Sequence, residues 1–331
     1  MTDFNDRSVL VTGGTGSFGK AFIRHVLEHH RPKRLVVYSR DELKQFEMAQ
    51  SITAPELRYF IGDVRDEDRF RRALDGIDTI VHAAAMKQVV AAEYNPIECI
   101  KTNIMGAENI INAAIDRGVK DVIALSTDKA VNPVNLYGAT KLCSDKLFTA
   151  ANHLGGRGPT RFSVVRYGNV IGSRGSVIPF FRKLRASGTL PITDPRMTRF
   201  SITLEEGVRF VLRCLAMMQG GEVFVPKIPS VKITDIAEVV GPECKQDVVG
   251  IRPGEKIHEA LIPRDEARHT REFDEFFVVA PAYHVWNVDG ENLYEGATGR
   301  PVDDEFEYSS DNNTEWMDHD AIRKVLPEDD D

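Results

Sequence analysis

The sequence predicts a doubly wound α/β fold, in which helices cover both faces of a parallel sheet. Two observations support this expectation. Over residues 1–170, short continuous apolar runs alternate with longer segments of helical periodicity. Apolar runs without polar alternation are typical of strands buried on both faces. In addition, a glycine-rich octapeptide joins the first such run to the first helical segment.

Six apolar runs are predicted as strands, and they cover residues 8–12, 34–38, 57–61, 79–82, 121–125 and 162–166. The helical segment at residues 19–29 has one apolar face, formed by Phe22, Ile23, Val26 and Leu27. Strands that alternate with helices in this way predict one parallel sheet.

Near residue 175 the alternation ends, and glycine and proline become more frequent. Helices are predicted there at residues 204–218 and near 233–240. We therefore expect two parts. Residues 1–175 form the doubly wound domain, and residues 176–331 form mainly a smaller C-terminal substrate-binding lobe with an acidic tail.

Composition and charge exclude several classes of function. The net charge is −8, but residues 303–331 carry 12 acidic and two basic side chains, so the rest is nearly neutral and offers no basic surface for nucleic acid. No apolar run approaches the ~18 residues of a membrane span, and the N-terminus lacks a secretory signal pattern. The four cysteines are too widely spaced to predict a metal site or a disulfide framework. We expect a cytoplasmic protein that holds no metal and binds neither nucleic acid nor membrane.

The octapeptide that ends at Gly19 predicts a dinucleotide site in a Rossmann-like domain. Gly13 permits a tight turn, Gly16 lets the backbone approach a pyrophosphate, and Gly19 lets the helix pack on the strand. The helix N-terminus then attracts the phosphates. The other predicted contacts of this segment are Thr15, Ser17 and Phe18.

Residues after the second strand indicate which dinucleotide is bound. An acidic residue there favours the ribose hydroxyls of NAD, whereas arginine accommodates the 2′-phosphate of NADP. Arg40, aided by Ser39 and Lys44, therefore predicts NADP; the alternative is that Arg40 is a solvated surface charge. Asp63 is predicted to accept a hydrogen bond from the adenine amino group. The remaining predicted cofactor contacts are Val64, Ala83 and Lys87.

Tyr137 and Lys141 are four residues apart and therefore share one helix face. A phenol has an ordinary pKa near ~10, so it needs a nearby cation to act as a base near neutrality. Lys141 supplies that cation and can also hold the nicotinamide ribose. This pair predicts acid–base chemistry beside a nicotinamide.

Thr127, Asp128 and Lys129 follow the fifth strand, at the edge where parallel sheets carry their reactive groups. A dehydrogenase or an epimerase needs only a hydroxyl there, which Thr127 provides. Removal of water needs in addition a base for a proton next to a carbonyl and an acid for the departing hydroxyl. Asp128 and Lys129 fit these two roles. The alternative is a surface ion pair beside a turn.

The chain resembles the inverting UDP-N-acetylglucosamine 4,6-dehydratases of the pseudaminic acid pathway, within the extended short-chain dehydrogenases. The motifs that carry the resemblance span nearly the whole chain. They are Tyr38 to Glu42, Leu125 to Lys129, Asn135 to Lys141, Arg166 to Val170, Ser173 to Val177, Arg196 to Phe200, Gly250 to Lys256 and Tyr308 to Asn312.

This resemblance implies a reaction and a role for each catalytic residue. Tyr137 deprotonates the 4-hydroxyl of the sugar while NADP accepts the C4 hydride. Lys129 exchanges the C5 proton, and Asp128 protonates the departing C6 hydroxyl. The hydride then returns to C6, and inversion at C5 gives a UDP-4-keto-6-deoxy sugar of L-arabino configuration.

The resemblance also implies the contacts to UDP-N-acetylglucosamine. Asn169, Arg199 and Arg252 hold the phosphates and nearby groups, Glu255 holds the uridine ribose, and Lys87 lies near the cofactor and the sugar. Positions that differ from many relatives are Met86, Gln88 and Ser201. A homo-oligomer, dimer or hexamer, is also implied.

Three alternatives remain open at this point. A UDP-sugar 4-epimerase shares the fold, the cofactor, Tyr137 and Lys141 but does not need Asp128 and Lys129. A retaining 4,6-dehydratase is similar, although many of those chains are membrane-anchored. A non-catalytic NADP-binding sensor typically loses the tyrosine or the lysine, and this chain has both.

Overall fold

The computed structural model describes residues 4–154, 158, 160–173, 176–281 and 294–326. Arg174 and Gly175, within one of the motifs above, lie outside the described residues. The same holds for the last five residues of the acidic tail.

The described residues form one large sheet with helices on both faces, which confirms the predicted fold class. Its order is β16-β14-β15-β10-β6-β5-β4-β1-β2-β3. The strands from β3 through β10 are parallel, and β14, β15 and β16 are antiparallel to their neighbours. The strands are β1 Ser8–Thr12, β2 Arg34–Ser39, β3 Leu57–Ile61, β4 Thr79–His82, β5 Asp121–Thr127, β6 Arg161–Tyr167, β10 Val223–Pro226, β14 Thr270–Glu272, β15 Phe276–Val279 and β16 Arg300–Pro301.

In the described part of the first half, seven helices connect the strands. They are α1 Ser17–His29, α2 Glu42–Ser51, α3 Glu67–Ala73, α4 Val89–Tyr94, α5 Pro96–Ile100, α6 Gly106–Arg117 and α7 Leu136–Ala151. A short π-helix at Lys101–Met105 joins α5 to α6, and a 3₁₀ turn at Asp128–Ala130 follows β5. In α1 the predicted apolar face is buried at Phe22, Ile23 and Val26, because these side chains pack into the main core.

Segments from the second half also belong to the main layers. Strand β10 pairs in parallel with β6, and β15 continues the sheet beyond it. Helix α9 (Leu204–Met217) packs against α1 and begins with a capping box between Thr203 and Glu206. The division at residue 175 therefore separates the two sequence patterns more cleanly than it separates the layers of the fold.

The remaining C-terminal segments form small sheets, and some of these segments surround a second apolar core, while Phe200, Leu261 and Tyr308 belong to the main core. Side chains of Ile178, Phe181, Leu190, Ile236 and Ile322 are buried in this core. The strands are β7 Asn169–Val170, β8 Thr189–Ile192, β9 Thr198–Ile202, β11 Ser230–Lys232, β12 Lys245–Val248, β13 Ala260–Ile262 and β17 Tyr308–Ser309. The helices are α8 Val177–Leu184, α10 Ile233–Val240, α11 Arg264–Ala267 and α12 His319–Val325, with a 3₁₀ turn at Arg185–Ser187.

A buried charge network ties the two parts together. Arg166, at the end of β6, donates hydrogen bonds to Glu266 of α11 (2.7 Å) and to the carbonyl of Leu261 (3.0 Å). Its guanidinium also lies 3.6 Å from Asp145 of α7. Because buried charges are costly unless they are paired, this network fixes α7 and the C-terminal lobe relative to the sheet. Within the described ranges, no helix is long and apolar enough to span a bilayer.

Candidate active site

The glycine-rich turn lies where the strand order of the sheet reverses, between β1 and β4. Gly13 has φ +64°, and a Cβ there would lie 2.9 Å from the Ala84 nitrogen and 3.0 Å from the Ala83 carbonyl. At Gly19, a Cβ would lie 2.5 Å from the Gly14 Cα. At Gly13 an added Cβ would therefore collide with the chain that follows β4. At Gly19, on α1, it would collide with the glycine turn itself. Glycine is therefore required at both positions.

The N-terminus of α1 offers backbone donors to an anion. Its N-cap, Gly16, receives no side-chain cap from the described residues, and the first turn holds no acidic side chain. Such an end attracts phosphate groups because its amides are unpaired and its dipole is positive. Thr15 bonds to Ser39 across the turn, with 2.9 Å between the two hydroxyl oxygens.

Arg40 is exposed beyond the end of β2, and its guanidinium lies 3.7 Å from the Asp63 carboxylate. Asp41 is the N-cap of α2 and accepts a hydrogen bond from the Lys44 backbone nitrogen (3.0 Å). The Lys44 ammonium also pairs with Asp41. Lys44 thus balances the charge of Asp41, four residues after Arg40 in the chain. The expected contact of Lys44 with a phosphate stays a prediction.

Asp63 is occupied by protein partners. Its carboxylate accepts from the Arg65 side chain at 2.7 and 3.0 Å and from the Arg65 backbone nitrogen. Burial raises the pKa of this carboxyl, but these hydrogen bonds outweigh burial and lower it. The predicted contact with an adenine amino group therefore competes with Arg65. Val64 is buried nearby, and Ala83 is bonded through its nitrogen to Thr12.

Thr127, Asp128 and Lys129 meet at the carboxyl end of β5. The Asp128 side chain is fully buried, and its Oδ1 accepts from the Thr127 hydroxyl (2.9 Å) and the Lys129 ammonium (3.1 Å). Its Oδ2 has no hydrogen-bond partner among the described residues. An unpartnered buried carboxylate oxygen is costly, so it marks a place where a ligand hydroxyl would be favourable.

Two carboxylates hold the Lys129 ammonium, because Glu259 lies 3.4 Å away on the other side. The Asn169 amide oxygen also accepts from Lys129, at 3.3 Å. Burial alone lowers the pKa of Lys129, but the charges of Asp128 and Glu259 outweigh burial and raise it. In the resting site Lys129 is therefore protonated at neutral pH.

Tyr137 and Lys141 are both buried on α7. Burial raises the pKa of Tyr137 to about 12, while the Lys129 charge and a hydrogen bond with Thr127 act in the opposite direction. Lys141 donates to the Leu125 carbonyl at 2.8 Å, and burial lowers its pKa. Within the protein, Lys129 is therefore the cation with the largest effect on the Tyr137 phenol.

Lys87 lies in the loop after β4, whose geometry is set by a residue that the sequence interpretation missed. Asn103 accepts from the Met86 nitrogen (2.8 Å) and donates to the Met86 carbonyl (3.0 Å) and to Thr140 (2.9 Å). Because these contacts use the backbone of Met86, the departures at Met86 and Gln88 leave the loop anchored. Desolvation and the charge of Lys129 both lower the pKa of Lys87, so this loop faces the catalytic end of the site.

The remaining predicted substrate residues differ in their partners. Arg199 is buried, and its two terminal nitrogens donate to the carbonyls of Thr198, Lys256 and Ile257. It therefore holds the loop around Lys256, and a role in phosphate binding stays a prediction.

Arg252 is exposed and lies 3.7 Å from Glu255. The Oε2 atom of Glu255 is buried and has no hydrogen-bond partner in the described chain. This pair retains hydrogen-bonding capacity for a ligand.

Glu259 and Lys256 are site residues that sequence reasoning did not assign. Lys256 closes the Gly250 to Lys256 motif, and Glu259 follows three residues later, before β13. Their ammonium and carboxylate lie 3.3 Å apart. The available signal was that both residues lie in or next to this motif. The sequence alone does not distinguish them from surface charges.

Gly138 allows α7 to approach the turn that carries Lys129. A Cβ at this position would lie 2.1 Å from the Lys129 carbonyl oxygen and 3.1 Å from its carbon. We expect Gly138→Ala to lower stability by about 1–3 kcal/mol, as overpacking does, and to displace Lys129. Thermal unfolding and turnover measurements should both show a loss.

The matched control is Gly207→Ala inside α9, where the nearest atom lies 4.0 Å from the added Cβ. Helix propensity predicts a gain of about 0.5–1 kcal/mol there. Equal stability of the two variants would contradict the role given to Gly138.

These features fit a bound dinucleotide: a glycine turn that leaves no room for a Cβ, an uncapped helix N-terminus and an arginine beyond β2. With the tyrosine and lysine of α7 behind the fifth strand, they define an extended short-chain dehydrogenase/reductase. The chain belongs to the polysaccharide biosynthesis protein family, whose model matches residues 9–281.

Known proteins similar to this chain include two kinds of enzyme. The chain is 55% identical over 329 residues to the UDP-N-acetylglucosamine 4,6-dehydratase (inverting) of Campylobacter jejuni, covering 98% of each chain. It is 41% identical over 271 residues to the UDP-glucose 4-epimerase of Rickettsia felis, covering 80% of each. The X-ray structure of Pen from Bacillus thuringiensis superposes with a TM-score of 0.88 at 35% identity, with 98% of each chain covered.

Proposed function

We propose that this protein is an NADP-dependent UDP-N-acetylglucosamine 4,6-dehydratase that inverts C5, and thus a carbon–oxygen lyase. The observation that carries the proposal is the pair of the buried Asp128 and the half-buried Lys129, with an ammonium-to-carboxylate distance of 3.1 Å, beside Tyr137. A relative named as this enzyme is 55% identical over nearly the whole chain. The product is a UDP-4-keto-6-deoxy sugar of L-arabino configuration, a first step towards pseudaminic acid or related surface sugars.

Each catalytic side chain has one proton to move. Tyr137, hydrogen-bonded to Thr127 and ionised to its phenolate beside the Lys129 ammonium, takes the proton of the sugar 4-hydroxyl. The ketone formed at C4 makes the C5 proton acidic, and Lys129 takes that proton. Asp128 gives a proton to the C6 hydroxyl, which departs as water. A bound NADP, which the glycine turn and Arg40 would hold, would supply the hydride acceptor for C4 and the hydride donor for C6.

The Asp128–Lys129 contact supplies the base and the acid together. In the resting site the shared proton lies on Lys129, because the two carboxylates raise its pKa. Transfer of this proton to Asp128 leaves a neutral amine and a protonated carboxyl. These are the two states that removal of the C5 proton and of the C6 hydroxyl require.

The substrate is held by the loops of the C-terminal lobe. Arg252 is exposed and suits the diphosphate because its planar fork bonds two oxygens at once. Glu255 suits a ribose hydroxyl because its buried Oε2 lacks a partner among the described residues. Lys87 and Asn169 lie near Lys129 and therefore suit groups close to the sugar.

Arg40 favours NADP over NAD because it is an exposed cation beyond β2, where the 2′-phosphate is expected, and its contact with Asp63 is a loose one of 3.7 Å. We expect Arg40→Ala to weaken NADP binding by about 10–100-fold, the effect of one charge-assisted hydrogen bond, and to leave NAD binding nearly unchanged. Isothermal titration with both nucleotides measures this difference. Arg58→Ala, at the opposite end of the neighbouring strand β3, is the matched control. Equal losses for NADP and NAD would contradict the assignment.

The deciding experiment follows UDP-N-acetylglucosamine in deuterated water by proton NMR. We expect a 6-deoxy-4-keto sugar with deuterium at C5 and L-arabino couplings. Retained configuration at C5 would indicate a retaining dehydratase. UDP-N-acetylgalactosamine alone would indicate the 4-epimerase, the second candidate, which the 41% identical relative favours. NADP binding without any sugar product would indicate a sensor.

We also propose that the enzyme works in the cytoplasm as a homo-oligomer, dimer or hexamer. Apolar side chains of Val90, Tyr94 and Ile97 are exposed on α4 and α5. Exposed apolar groups of this kind are typical of protein interfaces. Light scattering after size exclusion measures the number of copies.

A further inference from the structure

Glu259 brings a carboxylate to the catalytic lysine from a segment 130 residues further along the chain. It lies immediately before β13 in the C-terminal half, and its side chain is only 3% exposed. One oxygen, Oε1, lies 3.4 Å from the Lys129 ammonium. Lys129 therefore lies between carboxylates from the two halves of the chain.

The position of Glu259 is held on both sides. Its backbone nitrogen donates to the Ser310 hydroxyl (3.0 Å), and its carbonyl accepts from the Ser310 nitrogen (2.7 Å). Its other oxygen, Oε2, lies 3.3 Å from the Lys256 ammonium. Lys256 is itself anchored, because it donates to the Val131 carbonyl. The carboxylate thus lies between two lysines at ion-pair distance, although its Oε2 accepts no hydrogen bond from the described residues.

A buried charge row of this kind is a weak source of stability, because desolvation offsets the attraction. The row, which runs from Lys256 through Glu259 and Lys129 to Asp128, contains the amine that the proposed reaction uses. The other groups that face Lys129 are Asp128, Asn169, Tyr137, Arg199 and Lys87. Among these groups, Glu259 adds a second negative charge to that of Asp128, while Arg199 and Lys87 oppose both.

We propose that Glu259 is a positioning residue whose carboxylate holds the Lys129 amine in the site and, balanced by Lys256, sets how readily that amine releases its proton. This inference rests on the proposed function for its catalytic meaning. Its electrostatic part concerns Lys129 alone and can be measured without turnover.

The test compares two substitutions with opposite electrostatic effects. Glu259→Gln removes a negative charge beside Lys129, so its ammonium loses its proton at lower pH. Lys256→Met removes the cation that balances Glu259, so the proton is lost at higher pH. An opposite charge within ~4–6 Å shifts a pKa by about one unit or more. We expect the limb of the kcat profile that Lys129 sets to move by about one pH unit in Glu259→Gln, and by a smaller amount in the opposite direction in Lys256→Met.

A second measurement does not depend on turnover. Competitive acetylation by acetic anhydride, read on the Lys129 peptide of the NADP-bound protein by mass spectrometry, reports the pH at which this amine becomes nucleophilic. It should shift in the same two directions. Glu259→Asp, which keeps the charge, should restore the wild-type pH dependence more than Glu259→Gln does.

The matched control is Glu272→Gln, which removes a carboxylate 2.8 Å from Lys227 at the edge of the main sheet. It should leave both profiles unmoved. Shifts of both site variants in one direction, or losses at every pH without a shift, would overturn the inference. Shifted acetylation in a protein that dehydrates no UDP-sugar would leave the inference standing and refute the proposed function.

Discussion

Lys129→Met is expected to stop the loss of water while the oxidation of the sugar continues. The variant keeps the length of the side chain but has no amine to take the C5 proton. General acid–base groups contribute about 10²–10⁴-fold to a rate, so we expect dehydration to fall by that factor. Tyr137 and Thr127 remain in place, so the C4 step should still proceed, but more slowly, because the charge of Lys129 no longer lowers the pKa of Tyr137.

Two signals separate these steps. Absorbance at 340 nm should rise when UDP-N-acetylglucosamine is added to Lys129→Met and should persist, because the hydride has no acceptor at C6. Proton NMR in deuterated water should show no 6-deoxy product. Lys146→Met, an exposed lysine on the same helix as Tyr137, is the matched control and should keep the wild-type rate. Continued formation of a C5-deuterated product by Lys129→Met would remove Lys129 from the mechanism.

Tyr137→Phe is expected to stop the reaction one step earlier. Without the phenol no group takes the proton of the 4-hydroxyl, so the hydride does not leave C4. We expect a loss of about 10²–10⁴-fold, the contribution of one acid–base group. In contrast to Lys129→Met, no rise at 340 nm should follow addition of the sugar.

The matched control for this substitution is Tyr59→Phe, whose hydroxyl donates to the Ile52 carbonyl at 2.9 Å, away from the site. It removes the same oxygen at a cost to stability of about 1 kcal/mol. Rapid mixing at 340 nm with both variants measures the C4 step. An unchanged signal in Tyr137→Phe would assign the base to another residue.

Together the two variants order the chemistry. A signal at 340 nm in Lys129→Met but not in Tyr137→Phe would establish that Tyr137 acts before Lys129. The same pair separates the dehydratase from the epimerase, because a 4-epimerase depends on Tyr137 and does not need Lys129.

Local sequence patterns predicted the first half of the fold well. Strands β1, β3 and β4 have the predicted bounds, and β2, β5 and β6 are longer than predicted by one or two residues. For the central strands β1 and β4 this success has a physical reason: a strand buried on both faces must be largely apolar. The glycine turn was equally predictable from the sequence, because only glycine can lie as close to the backbone after β4 as Gly13 does.

Strands β10, β14 and β15 were not predicted. They are three or four residues long and lie among prolines and loops, so their periodicity is too brief to identify. Their place in the main sheet depends on pairing with β6 and with one another. That pairing joins residues far apart in the chain, as between Val164 and Val223.

The sequence by itself determined the fold class, the dinucleotide turn and the chemical types present at the ends of the strands. It did so because backbone conformation and burial require residue types in periodic or local patterns, which can be recognised in the sequence. The tertiary structure alone decided which charges meet. Glu259 reaches Lys129 and pairs with Lys256, Asn103 anchors the loop of Lys87, and Arg199 supports a loop by bonding to its carbonyls. Electrostatic contacts act through space between distant segments, so their partners are decided only when the chain has folded.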